Sequence, residues 1–262
     1  MSEIITSNIK DVIDKCNTTP YSMTNTDKYF NYRIEPSFPL LDTGLTYQYY
    51  LLKRELNPSK SIPLVISVGI STNSLCNNLV ILNNNIDKIK DKYSEIIFIY
   101  SDGKKIEKEF KEILKSKNDS LTIFEMGDIM KKEMASHYDK IIRSIMIEKS
   151  YEQIDYLGVS FSGGIGIFLK QLVLPIRQLI LVAPAITEGF KNILGEETSK
   201  IILVWSKQDK KVPFDPTGLE FEEELTSYSN KEIVFIDTKY DETDKLIDDK
   251  THRLQDELFD KI

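Results

Sequence analysis

Ile154-Asp155-Tyr156-Leu157-Gly158-Val159-Ser160-Phe161-Ser162-Gly163-Gly164 is the stretch that decides the fold. Ile154–Val159 is a buried-strand pattern, and a helix is expected from about Ser162 to Leu172. The chain must therefore turn sharply at Ser160. Small residues two positions either side of that serine let the turn close and leave its hydroxyl projecting at the C-terminal edge of the sheet. The following helix points its N-terminus at the site, which favours developing negative charge. Two other readings of the same residues stay open. A Gly/Ser-rich strand-to-helix turn also cradles phosphate in nucleotide-binding folds. A shifted frame, Ser160-Phe161-Ser162-Gly163-Gly164, makes Ser162 the exposed serine. Ser160 is preferred because Gly158 then ends the strand, where close packing is needed.

On either side of this turn, strands alternate with helices. Thr46–Leu52 reads as a strand, and Leu64–Val68 is an apolar run ending at Gly69. Asn78–Lys92 has helical spacing, Glu95–Tyr100 reads as a buried strand, and Lys104–Lys117 is an amphipathic helix. Leu121–Glu125 is a short strand candidate, followed by a long helix over Asp128–Glu148. Beyond the central turn, strands are expected at Gln178–Val182, Ile201–Trp205 and Glu232–Asp237. Helices are expected at Leu219–Ser227 and Thr251–Asp260, with a short segment near Glu188–Leu194. This alternation predicts an α/β fold with a mostly parallel central sheet and helices on both faces. Residues 1–44 are expected to wrap that domain as an N-terminal extension, and 45–262 to form it.

A chain of 262 residues suits one large domain. The net charge of -7, with lysines interleaved among acids, argues against nucleic acid as a partner. No apolar stretch is long enough to span a membrane. Met1–Lys15 lacks a basic patch followed by an apolar run, so no secretory signal is expected. Cys16 and Cys76 have no context that suggests a disulfide framework, so reduced thiols and a cytoplasmic location are expected. Two histidines and no Cys/His cluster leave no expected metal site, and no organic cofactor is implied.

Gly158-Val159-Ser160-Phe161-Ser162-Gly163-Gly164 resembles the nucleophile elbow of α/β-hydrolases, with Ser162 where the family usually has Gly. Ile201-Ile202-Leu203-Val204-Trp205-Ser206-Lys207-Gln208-Asp209-Lys210-Lys211-Val212-Pro213 is similar to the segment bearing the family's triad carboxylate, which matches Asp209. Of the two histidines, His137 lies mid-helix and upstream of the elbow. His252 follows Asp209 and completes the family's order of Ser, acid and His. Asp248 and Asp249 stand as alternative partners for it. Pro63-Leu64-Val65-Ile66-Ser67-Val68-Gly69-Ile70-Ser71 resembles the strand that ends in the family's His-Gly turn, with Val68 replacing the His. By that position the N–H groups of Ile70 and Phe161 form the oxyanion hole. The short interval between Ile186 and Lys200 leaves no room for a large cap domain. An open site is therefore expected, lined by Ile70, Phe161, Ile186, Phe190 and Phe214.

The resemblance implies a serine hydrolase acting on a carboxylic ester or thioester of a small-molecule or acyl substrate. His252 takes the proton of Ser160, Ser160 attacks the carbonyl, and Asp209 orients His252. A thioesterase, peptidase or acyltransferase uses the same triad. The reading from another class is a non-catalytic protein of this fold that binds a small molecule or a protein; Val68 and Ser162 are its supporting features.

Overall fold

The computed structural model describes residues 31–34, 38–40, 43–69, 72–101, 104–186, 199–226, 230–236, 243 and 250–262. In chain order the strands and helices are β1 (Asn31–Ile34), β2 (Phe38–Pro39), β3 (Thr46–Tyr47), β4 (Tyr50–Glu55), β5 (Leu64–Val68), α1 (Thr72–Asn84), α2 (Ile86–Ile89) and β6 (Glu95–Tyr100). There follow α3 (Lys104–Lys117), α4 (Ile123–Lys149), β7 (Ile154–Val159), α5 (Phe161–Gln171), β8 (Ile176–Val182), β9 (Lys200–Ser206), α6 (Leu219–Leu225) and β10 (Lys231–Ile236). A 3₁₀ turn, Asp256–Asp260, comes last.

Eight strands form one sheet in the order β1-β4-β6-β5-β7-β8-β9-β10. From β6 to β10 all neighbours are parallel; β4 is antiparallel to both β6 and β1. β7 is thus central, in register with β5 (Ser67 opposite Gly158) and with β8. Strand side chains alternate between faces, and each face carries its own core. Val65, Ile97, Ile99 and Tyr156 meet α4 and α5 on one side. Ile66, Phe98, Leu157 and Val159 meet α1, Leu254, Leu258 and Phe259 on the other. Helices therefore cover both faces, and no cap domain stands over the sheet among the described residues. No helix among them is long and apolar enough to cross a membrane.

Several sequence expectations change: Thr46–Leu52 is two strands, β3 and β4, and the helix expected over Asn78–Lys92 is two, α1 and α2. Leu121–Glu125 is not a strand but the start of α4. Thr122 Oγ1 accepts the Glu125 N–H at 3.2 Å, and the Glu125 carboxylate accepts the Thr122 N–H at 2.8 Å. This reciprocal capping box fixes the helix start despite the β-branched run. One strand therefore lies between β5 and β7 in sequence. Thr251–Asp260 is not one helix; the chain bends after Thr251 and is helical again, as 3₁₀, only over Asp256–Asp260. A further change concerns redox state. Cys76 on α1 is disulfide-bonded, and the chain's other cysteine, Cys16, lies outside the described residues. The sequence around Cys76 carries no spacing signature, so the bond was not legible.

The N-terminal end of β7 holds the most heavily bonded charge. Asp155, fully buried, accepts Arg177 Nε at 2.9 Å and Nη2 at 2.5 Å, the Gln178 N–H and side-chain amide, and the Tyr93 hydroxyl at 2.9 Å. A carboxylate saturated this way is a structural anchor, and removing it leaves a buried hydroxyl and a guanidinium unpaired. Asp155→Ala is expected to destabilise the fold by about 3–5 kcal/mol, read as a lower urea midpoint.

His137 performs a similar task for the separate two-stranded sheet of β2 and β3. It lies under β2, where its Nε2–H donates to the Pro39 carbonyl at 3.1 Å and its Nδ1 accepts the Tyr49 hydroxyl at 3.0 Å. Phe38 stacks on the ring. Burial pushes its pKa down to about 4, against the opposing pull of the Pro39 carbonyl. The unfolded chain protonates near 6.5, so the unfolded state binds more protons between those values. Stability is accordingly full above about pH 6.5 and declines toward pH 4, by on the order of 3 kcal/mol. Denaturant titrations between pH 4 and 7, with the His137 imidazole signal followed by NMR, check this; a midpoint near 6.5 for His137 in the folded protein contradicts it.

Candidate active site

Ser160 sits where β7 becomes α5, with φ 57° and ψ −121°. Positive φ is costly for a residue with a side chain, so the surroundings must impose it. They do so through the backbone. The Ser160 N–H donates to the Val182 carbonyl at 2.8 Å, and the Ser160 carbonyl accepts the N–H groups of Gly163 at 2.9 Å and Ala185 at 3.0 Å. The turn is also tight. A Cβ on Gly158 would lie 2.4 Å from the Ser162 carbonyl oxygen, so only glycine fits there. Ser160 is left half-buried at the end of the sheet, at the N-terminus of α5.

Ser162 has the opposite environment. It is 1% exposed, and its hydroxyl accepts from Ser67 Oγ at 2.9 Å. The serine projecting from the turn is therefore Ser160, and the shifted frame places its serine inside the core.

The acid and the base come together. His252 Nδ1 lies 2.6 Å from Asp209 Oδ2. A carboxylate only accepts, so the proton is on Nδ1 and Nε2 is the basic nitrogen. Asp209 is itself fixed: its Oδ1 accepts the N–H groups of Lys211 at 2.9 Å and Val212 at 3.0 Å. Trp205, at the end of β9, ties the same loop by donating Nε1–H to the Val212 carbonyl at 2.9 Å. The His252 segment is tied to α1, where Asn78 Oδ1 accepts the Leu254 N–H at 2.7 Å and Leu254 is buried. Among the described residues, no hydrogen bond joins Ser160 to His252. Asp248 and Asp249 lie outside the described residues.

Of the two expected oxyanion donors, Phe161 is the first residue of α5, and Ile70 lies outside the described residues. Gly69, just before it, has φ 26°. Of the expected lining residues, Ile186 is buried in the core of the α4–α5 face, and Phe190 lies outside the described residues. Phe214 is half-buried and packs edge-on against Trp205 and Phe235, so it belongs to an aromatic cluster under the Asp209 loop. Among the described residues no group of three or more His, Cys, Asp and Glu side chains gathers as a metal site.

A charge pair missed in the sequence lies behind Phe161. Lys131 Nζ donates to Asp128 Oδ1 at 2.6 Å with both side chains buried, and the same ammonium stands 5.1 Å from the Phe161 ring centroid. Burial pushes the lysine pKa down, and Asp128 opposes that shift. A Cβ on Gly164 would meet Lys131 Cδ at 2.7 Å, so the glycine makes room for the lysine stem. The i, i+3 spacing of Asp128 and Lys131 was the available signal, but it is indistinguishable from an exposed helical pair.

The sequence matches no protein-family model, and no curated protein matches it. Solved structures do match. Est1E from Butyrivibrio proteoclasticus superposes with a TM-score of 0.52 at 13% identity, covering 87% of this chain and 97% of that one. The esterase Pf2001 from Pyrococcus furiosus gives 0.52 at 10% identity, covering 87% and 90%. Est1E with ferulic acid bound gives 0.51 at 13% identity, covering 79% and 93%. At these identities the likeness establishes the fold, and the chain has the α/β-hydrolase fold.

The imposed backbone angle has a measurable cost. Ser160→Gly is expected to raise stability by about 1 kcal/mol, because glycine tolerates this φ while gaining unfolded-state freedom that offsets part of the relief. A lower urea midpoint for the variant contradicts a strained turn.

Proposed function

We propose that the protein is a serine hydrolase that cleaves a carboxylic ester or thioester through an acyl-enzyme on Ser160. The observation that carries this reading is the 2.6 Å contact between His252 Nδ1 and Asp209 Oδ2, on the same sheet edge as a serine held at φ 57°. His252 Nε2 takes the proton of Ser160 Oγ as that oxygen attacks the substrate carbonyl. The oxyanion is held by the Phe161 N–H and, by the resemblance, that of Ile70. Protonated His252 then gives its proton to the leaving oxygen or sulfur, and water, deprotonated by the same nitrogen, releases the acid. Asp209 holds the imidazole in its tautomer and stabilises the imidazolium.

Support for an ester comes from the fold of the neighbours and from the lack of a cap domain among the described residues. Pf2001 from Pyrococcus furiosus is an esterase, and Est1E holds bound ferulic acid; small aryl and alkyl esters are accordingly the first substrates to try. The disulfide at Cys76 removes the support that free thiols gave to a cytoplasmic location, since disulfides persist in oxidising compartments. One observation favours a second reading: with no Ser160–His252 hydrogen bond, the fold serves equally as a binding scaffold without turnover.

A fluorophosphonate probe separates the two. The hydrolase reading expects a stoichiometric adduct on Ser160, lost in Ser160→Ala and reduced about a thousand-fold or more in rate in His252→Ala. Asp209→Asn, which presents the wrong tautomer, is expected to lower ester turnover by a similar factor. A folded wild-type protein that takes up no probe establishes the scaffold reading instead.

A further inference from the structure

Ser67 is the one polar residue in the apolar strand β5, and Ser162 replaces the glycine usual in the elbow. The structure brings the two together. Ser67 Oγ donates to Ser162 Oγ at 2.9 Å, and the Tyr138 hydroxyl, from α4, lies 2.8 Å from Ser67 Oγ. Since Ser67 donates to Ser162, Tyr138 donates to Ser67, so the three hydroxyls form one directed chain. The Tyr156 hydroxyl, from β7, donates to the Ser162 carbonyl at 3.0 Å. Ser67 and Tyr156 are fully buried, Ser162 and Tyr138 nearly so. Burial pushes the Tyr138 pKa up to about 12, so its phenol stays a donor.

The placement matters because of what flanks it. Ser67 stands two residues before Gly69, at the end of the strand that leads to Ile70, and opposite Gly158 in register. Ser162 follows Phe161 in the first turn of α5. We infer that Ser162, Ser67 and Tyr138 are positioning residues: their hydroxyl chain fixes the distance between the end of β5 and the N-terminus of α5, and so the placement of the Phe161 N–H that would hold the oxyanion. Ser162 is in this sense a working substitute for glycine: its hydroxyl bonds Ser67 on β5, a contact that glycine cannot make. The inference rests on the hydrolase reading for its catalytic consequence and on the hydrogen bonds for its structural one.

Two readouts test it. The first is steady-state turnover of a p-nitrophenyl ester by Ser162→Ala, Ser162→Gly, Tyr138→Phe and Ser67→Ala. Each is expected to lower kcat about ten-fold, with KM within about two-fold and the pH profile unmoved. The Ser162→Ala/Tyr138→Phe double variant is expected to be no worse than either single one, since the residues act as one unit. The second is amide hydrogen exchange, which needs no activity. Exchange is expected to accelerate at Val68–Gly69 and Phe161–Ser162 in the variants, with β8 and β9 unchanged. If wild type neither labels nor turns over but the exchange pattern appears, the hydrolase reading fails and the positioning role stands. If wild type is active and the variants, all folded, keep kcat and exchange unchanged, the inference is overturned.

Discussion

The turn at Ser160 is the constraint on which the rest depends. A strand must end, reverse the sign of φ at a residue that carries a side chain, and start a helix within one residue. That is possible only where the backbone is held from several directions. The Val182 carbonyl holds the Ser160 N–H, and the Gly163 and Ala185 N–H groups hold its carbonyl. The gap of 2.4 Å left for a Cβ at Gly158 shows how closely the helix folds back on the strand. The parallel sheet puts the ends of β5, β7 and β9 on one edge. The geometry of the turn is therefore a property of the sheet, and the loops that follow need only complete it.

Around this turn the protein uses buried polarity sparingly and satisfies it. Asp155 is saturated at one end of β7, and the hydroxyls of Ser67, Tyr138 and Ser162 are paired near the other. Lys131 and Asp128 neutralise one another behind Phe161. Each cluster joins elements that hydrophobic packing alone leaves free to slide. Apolar contacts are non-directional, whereas a buried hydrogen bond fails if its partners shift by an ångström. The buried polar groups thus specify relative position, while the two apolar layers supply most of the driving force for folding.

Much of this was legible in sequence. The alternation of strand and helix, the strand-to-helix turn at Ser160 and the loop after β9 are short-range patterns, and the sheet order arranges them as the alternation implies. What was not legible depends on distance in space. Asn78 supports the His252 segment across the far side of the sheet, and no local pattern marks an asparagine as a partner for a backbone N–H 176 positions away. Ser67 lies within an apolar run, and its partners Tyr138 and Ser162 come from elements far away in sequence. Leu121–Glu125 was misread because two signals competed there. The β-branched run favoured a strand, while Thr122 and Glu125 formed a capping box that hydrogen bonds then enforced. The disulfide at Cys76 gave no local signal at all.

β7 is clamped at both ends: by the Asp155 cluster where it begins and by the backbone bonds of Ser160 where it stops. It is also flanked by partners on both sides. A segment held in this way has no cheap partial opening, because releasing one end leaves the other fixed and exposes two cores at once. Local fluctuations concentrate elsewhere in a fold, in segments with few buried contacts. The turn at Ser160 thus opens only with the cooperative unit that contains the central sheet, and its geometry persists for as long as the native state itself.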